Sequence, residues 1–183
     1  RDKNFTLTNK FYVTENPLFL GEYHQAFKNS YLLTDFSFTE GYKKNSIKKS
    51  SGSKSHFFSY FMKDFEKKGI SKSALSLSIE KTSNDKYLKL YKINSNLTDY
   101  KKDTLESNFN FTHENENLYL GLNASIYENL KNDYNDKYEY ILPELVIDKN
   151  LLSNKKIGSI DLQTNLKVHN YDTNKLTNFL VND

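Results

Sequence analysis

The chain has 183 residues, of which 37% are hydrophobic and 15% aromatic, and its mean hydropathy is −0.77. A chain of this length can form one domain, but so low an apolar content argues against a large two-sided core. The net charge is only +3 and the lysines are scattered, which argues against nucleic-acid binding, and the absence of cysteine excludes disulfides within this chain. No apolar run approaches the roughly 18 residues of a spanning helix, so membrane insertion would require strands.

Apolar and polar residues alternate with a period of two through most of the chain, which is typical of strands with one apolar face. Two such runs separated only by Asn29 and Ser30 predict a β-hairpin with a tight turn. Nine strands are predicted in all, over residues 5–13, 17–28, 31–42, 55–65, 71–80, 105–112, 118–126, 138–148 and 160–168.

Three stretches depart from this alternation. The aromatic residues of 55–65 fall on both faces, so this strand is predicted from length and aromatic content alone. A helical turn is predicted at 87–91 within a long polar stretch, 82–103. Polar loops are expected at 43–54 and 129–137, a turn at 151–154, and an irregular tail from residue 170.

The predicted connections alternate between short turns and long polar loops from the hairpin onward. Short turns on one rim and long loops on the other are typical of outer-membrane barrels. The sequence therefore predicts an all-β, antiparallel, up-and-down transmembrane barrel segment, with residues 1–183 in a single domain. Because nine strands would leave open edges in lipid, and because the chain begins at Arg1, we expect an internal fragment of a larger barrel. A soluble antiparallel sheet with long strands remains the alternative.

The alternation divides the side chains into two sets that would face opposite ways in a barrel wall. The polar set, expected to face a lumen, comprises Glu22, His24, Asp35, Asn123, Glu144, Asp148 and Asp161. The apolar set, expected to face lipid, comprises Leu75, Leu77, Ile79, Leu118, Leu120, Leu122, Ile160 and Leu162. In 138–148, Ile141 is grouped with the apolar residues that follow it.

No pattern in the sequence predicts covalent chemistry. The four histidines, His24, His56, His113 and His169, are isolated in the sequence and lack metal-ligand spacing. Nucleophile and phosphate-loop motifs are missing from the sequence. We therefore expect a protein that is not an enzyme, with no catalytic residue, metal or cofactor. The lysines of 43–54 fit a solvated loop better than a site for lipid phosphates.

Four stretches resemble the barrel of the LptD (OstA) family of lipopolysaccharide-assembly proteins of the outer membrane. Residues 4–8 and 22–24 are similar to the family's D-x-T-x-T-P-x-Y and E-[FY]-R strands, with Asn9 in place of Pro and His24 in place of Arg. The text KTSNDKYLKLYKINS, residues 81–95, resembles a long family loop, and YEYILPELVID, residues 138–148, resembles a family strand. The resemblance runs the length of the chain, with the matches spread from residue 4 to residue 148.

The resemblance implies a function in transport. A protein of this family receives lipopolysaccharide from the periplasmic bridge protein LptA through an N-terminal domain, which we expect to lie outside this fragment. It then places the lipid in the outer leaflet with the plug lipoprotein LptE. The implied partners are lipopolysaccharide, LptE, LptA and outer-membrane lipid, without nucleic acid, and the implied location is the outer membrane of a Gram-negative cell. A generic porin or receptor barrel and a soluble or surface-attached β-sheet adhesin remain the alternatives.

Overall fold

The computed structural model describes residues 2–41, 51–67, 70–131, 136–154, 156 and 158–171. Within these residues the chain forms one nine-stranded antiparallel sheet in which each strand pairs with the next in sequence. The strands are β1 (Lys3–Lys10), β2 (Leu18–Phe27), β3 (Ser30–Gly41), β4 (Ser51–Lys67), β5 (Ser71–Thr82), β6 (Thr104–Asn115), β7 (Leu118–Asn129), β8 (Tyr138–Asn154) and β9 (Gly158–Tyr171). The predicted all-β, up-and-down arrangement of nine strands is confirmed. In this part of the chain β1 and β9 do not pair, so the sheet is open.

The predicted helical turn is also present, as α1 (Tyr87–Tyr91) between β5 and β6. The Asn84 side chain accepts a hydrogen bond from the Lys86 amide before the helix, and Lys92 ends it in a left-handed conformation. A helix of five residues has little stability of its own, so its packing against the sheet must hold it. No helix among the described residues is long and apolar enough to span a membrane.

Several strand ends differ from the prediction because pairing, rather than side-chain pattern, determines where a strand stops. The last partner of β1 is Leu18, at the start of β2, so Phe11 and Val13 lie beyond the strand and are 77% and 93% exposed. β8 continues through the turn predicted at 151–154, and β9 continues past residue 170. β4 already begins within the predicted loop 43–54. Other parts of the predicted loops and tail, 42–50, 68–69, 132–135 and 172–183, lie outside the described residues.

A bulge in β8 overturns one predicted face. Asn123 pairs with Glu144, but two positions later Ser125 pairs with Ile141, so two residues of β8, 142 and 143, lie opposite the single residue 124 of β7. Because the side-chain period of a strand is two, one extra residue inverts the alternation. The prediction that Ile141 shares a face with the apolar residues after it is therefore wrong. Ile141 lies on the face of Glu144 and is 9% exposed.

A cluster of buried apolar side chains lies between the sheet and residues 83–103, which we call the cap. It includes side chains from the cap, from β2, β4 and β6, and from the segment after β7: Leu18, Leu20, Phe58, Tyr87, Leu88, Tyr91, Ile93, Leu105 and Leu130. Tyr12 and Leu97 pack against it. The cap thus gives one region of a single-layer sheet a globular core.

Candidate functional site

One polar face extends across β2 to β9, and the strand register defines it. Glu22 pairs with Asp35 at one side of the sheet, and Asn123 pairs with Glu144 at the other. The residues predicted to face a lumen all lie on this face: Glu22, His24, Asp35, Asn123, Glu144, Asp148 and Asp161. That the face lines a lumen stays a prediction.

The seven predicted residues do not converge on one point. Glu22 and His24 lie under the cap, where Asn96 Nδ2 is 3.3 Å from Glu22 Oε2 and 3.2 Å from His24 Nε2. On the uncovered strands, each carboxylate among the seven predicted residues accepts a hydrogen bond from an amide side chain: Glu144 from Asn123 at 3.3 Å, Asp148 from Gln163 at 3.2 Å and Asp161 from Asn150 at 2.6 Å. The polar face is therefore a hydrogen-bonded surface rather than a compact site.

The opposite face is apolar. The residues predicted to face lipid all lie on it: Leu75, Leu77, Ile79, Leu118, Leu120, Leu122, Ile160 and Leu162. Phe36 and Phe38 of β3 and Phe57 of β4 extend it, with Phe36 paired with Phe57. Phe36 is 38% exposed and Ile160 53%, and no second layer covers this face in the described part of the chain. What covers it stays a prediction.

The apolar residues of successive strands form a band, the apolar band, that runs obliquely to the rows of paired residues across the sheet. The row through Phe36 leaves the band two strands later, at Lys81. In the opposite direction, the row through Leu120 leaves the band one strand earlier, at His113, and continues to Ser73 on β5. Across the nine strands the centre of the band moves by about one residue per strand. With a rise of about 3.3 Å per residue and a strand spacing of about 4.8 Å, this corresponds to strands tilted by about 35° from the normal to the band.

Charged side chains lie where the apolar band ends on β5 and β7. Lys81 Nζ is 2.7 Å from Glu128 Oε2 and lies 5.3 Å from the centre of the Tyr138 ring. Lys137, just before β8, contacts Asp85 of the cap at 2.9 Å, and this hydrogen bond raises the pKa of Lys137. Lys137 is also 3.6 Å from Glu128, so it connects the cap to the rim of the sheet.

The cap is packed on the polar face over β2 to β4. Tyr87, Leu88 and Tyr91, all on α1, are buried against the sheet. Along the outer side of the cap, Lys89 contacts Asp103, which lowers the pKa of the Asp103 carboxyl. The same packing explains the irregular pattern of β4: Phe58 lies on the polar face but is fully buried because the cap covers it.

A chain of hydrogen bonds under the cap links four buried side chains, Asp35, His56, Ser37 and Tyr87, which we call the latch. His56 Nε2 is 3.1 Å from Asp35 Oδ1, and His56 Nδ1 is 2.5 Å from Ser37 Oγ. Ser37 Oγ is also 2.7 Å from the Tyr87 hydroxyl. A neutral His56 protonated on Nε2 satisfies every link, with Tyr87 donating to Ser37 and Ser37 donating to His56. Burial raises the pKa of Tyr87 to about 12, so its hydroxyl stays protonated.

The order Ser37, His56, Asp35 is that of an activated serine. Ser37 is nevertheless 2% exposed and its oxygen is hydrogen-bonded to Tyr87, so a substrate could not reach it in this conformation. The geometry supports attachment of the cap rather than nucleophilic catalysis. No group of three or more His, Asp or Glu side chains suited to a metal occurs in the described residues.

Sequence reasoning missed the latch because its members are far apart in the chain. His56 was treated as isolated, but the pairing of β3 with β4 places it directly opposite Ser37 and diagonal to Asp35. His169 likewise meets a carboxylate, Glu139, at 2.7 Å. The register of β3 and β4 depends on a long connection without regular periodicity, so no local signal in the sequence identifies these contacts.

The strands at the base of the cap separate. β5 and β6 pair only as far as Ser78 with Asn108, although both strands extend four residues further. In the gap, Ser107 Oγ accepts a bond from the Glu80 amide at 3.1 Å, and the Glu80 carboxylate accepts bonds from the Glu106 amide and from Lys102. Side chains thus replace the backbone ladder at this point.

No family model, curated protein or solved structure matches the chain. The functional interpretation therefore rests on the two faces, the cap and the resemblance of the quoted stretches.

Proposed function

We propose that the chain is a section of the wall of a large outer-membrane β-barrel that transports and assembles lipopolysaccharide. The observation that carries the proposal is the oblique apolar band. A slope of about 35° is close to the strand tilt of transmembrane barrels, about 35–45°. The band would then lie parallel to the membrane plane, with the polar face toward the lumen.

The edges of the sheet agree with this proposal. β1 and β9 each have one side without a strand partner in the described residues. Unpaired backbone groups are costly in lipid, so a barrel built on this sheet would close only with further strands beside both edges.

The positions of the stretches that resemble the LptD family support the lipopolysaccharide function. Residues 22–24 contact Asn96, which directly follows the stretch 81–95, and that stretch contains α1. The stretch 138–148 contains the bulge of β8. Three of the four stretches thus include part of the cap, a strand segment that contacts the cap, or the bulge of β8. In this proposal LptE occupies the lumen, LptA delivers the lipid through a separate domain, and outer-membrane lipid surrounds the apolar face.

An arginine scan tests the two faces. In the full-length protein, Leu120→Arg should destabilise the barrel by about 2–4 kcal/mol if Leu120 lies near the membrane midplane. Asn123→Arg, on the same strand but the polar face, should cost much less. The measurement is reversible unfolding in lipid. Equal penalties would remove the assignment of faces, and a stable fold without detergent would favour the adhesin.

Photo-crosslinking tests the lipopolysaccharide function. Crosslinkers at Glu144 and Asp148, on the uncovered polar face, should capture lipopolysaccharide or the plug lipoprotein in the full-length protein. Matched crosslinkers at Leu77 and Leu120 should capture membrane lipid. If the polar positions captured neither partner while small solutes passed freely through the lumen, a generic porin would replace the proposed function.

A further inference from the structure

Two kinds of contact hold the cap on the sheet. The apolar contacts of Tyr87, Leu88 and Ile93 are nonspecific in direction and close the cap by burial. The latch is directional, because each of its hydrogen bonds sets the donor available for the next. All four of its residues are 2% exposed or less, so a broken link would leave a buried polar group unpaired.

Other features favour opening. At the base of the cap, between Ser78 and Thr82 on β5, side-chain bonds replace the backbone ladder to β6. Three buried oxygens, Asp35 Oδ2, Thr82 Oγ1 and Thr98 Oγ1, have no hydrogen-bond partner among the described residues. Water would satisfy these oxygens if the cap lifted, which reduces the free-energy difference between closed and open states.

We propose that the cap opens and closes over the polar face of β2 to β4, and that the Asp35–His56–Ser37–Tyr87 latch holds it closed. The role of this movement rests on the proposed function: in a barrel wall, an open cap would uncover the lumen at the rim where β5 ends and β6 begins. The movement itself follows from contacts within this chain and requires no partner.

Thiol labelling measures the opening. The chain contains no cysteine, and Leu18 is fully buried beneath the cap, so Leu18→Cys introduces one thiol that a water-soluble maleimide reaches only when the cap is open. Tyr87→Phe removes one hydroxyl from the latch and should accelerate labelling about tenfold, the effect of losing one buried hydrogen bond. Tyr100→Phe is the matched control within the cap, and it should label at the rate of the parent.

A second variant separates a latch from general loosening. Ser37→Ala should also accelerate labelling about tenfold or more. The double variant should label no faster than the faster single variant, because both substitutions break the same link. The proposal is wrong if Tyr87→Phe labels at the rate of Tyr100→Phe, if the effects of the two substitutions multiply, or if the parent thiol is already labelled at the rate of an exposed cysteine.

The labelling result is independent of the membrane proposal. It can be obtained for the full-length protein in detergent, lipid or buffer, whichever keeps it folded. Equal penalties for arginine at Leu120 and Asn123 would reject the barrel wall without changing the labelling ratios. Labelling of Tyr87→Phe and Ser37→Ala at the rate of the parent would reject the latch without affecting the assignment of the two faces.

Discussion

The capped and uncovered parts of the sheet have the same division into a polar and an apolar face, but they bury their polar side chains to different extents. Under the cap, Asp35, Ser37 and His56 are almost fully buried and bonded to one another. On β8 and β9, residues of the same face such as Glu144 and Lys167 remain half-buried and bond across neighbouring strands. The difference shows that the sheet alone does not create a core in this chain. The core depends on 21 residues, 83–103, that fold back onto one region.

Because of this difference, truncating an apolar side chain should have different effects in the two regions. Leu88→Ala removes a fully buried side chain from the cap core and should destabilise the closed cap by about 2–5 kcal/mol. Leu162→Ala, on the uncovered part, should cost less than about 1 kcal/mol, because Leu162 is 46% exposed and its removal leaves no closed cavity. Hydrogen exchange of the cap amides measures the first effect, and unfolding measures the second. Similar values for both would mean that the cap is not a separate core.

High pH should open the cap through Tyr87. The pKa of Tyr87 rises from 10.0 to about 12 because the closed cap buries its hydroxyl. Because this pKa is higher in the closed cap than in the open one, the protonated Tyr87 hydroxyl stabilises the closed cap fully below pH 10. This stabilisation is lost as the pH rises toward 12. At pH 11 the ratio of open to closed cap should therefore be about ten times its value at pH 9.

A nitroxide spin label attached to the variant Asn96→Cys reports the opening of the cap as increased mobility of the label in its electron paramagnetic resonance spectrum. The Tyr87→Phe variant, which has no group to ionise at this position, should lose the step between pH 9 and 11. A step that persists in Tyr87→Phe would assign the opening to another group.

Most strands of both regions were predictable because alternation is a local property of the sequence; β4 was predicted from its length and aromatic content. The helical turn at α1 was predicted within a stretch that departs from the alternation. The face of Ile141 was not predicted, yet the sequence contains a signal for it: Pro143 interrupts the alternation, and proline within a sheet is typical of bulges and edges.

The contacts of the cap were not predictable from the sequence. Phe58 made β4 look irregular because the cap that covers it, residues 83–103, lies far along the chain from β4. The latch depends on the register between β3 and β4, and a shift of one residue would send His56 to the opposite face. Such contacts follow from tertiary packing, which local alternation does not specify.

A small effect is also expected when a polar hydrogen bond of the uncovered region is removed. Asn108 Nδ2 donates to Asn123 Oδ1 at 2.8 Å and to Ser125 Oγ at 2.7 Å. Asn108→Ala should cost about 1 kcal/mol, because Ser125 keeps a bond from Asn123 and the half-buried Asn123 can bind water. Ser37→Ala under the cap should cost more, about 1–3 kcal/mol, because the Tyr87 hydroxyl and His56 Nδ1 would each lose their partner where water is excluded. Unfolding of both variants in lipid, with the parent beside them, gives the two values. An equal cost would show that Asn108 is as shielded from water as Ser37, and hence that a second covering layer lies over the uncovered strands in the full-length protein.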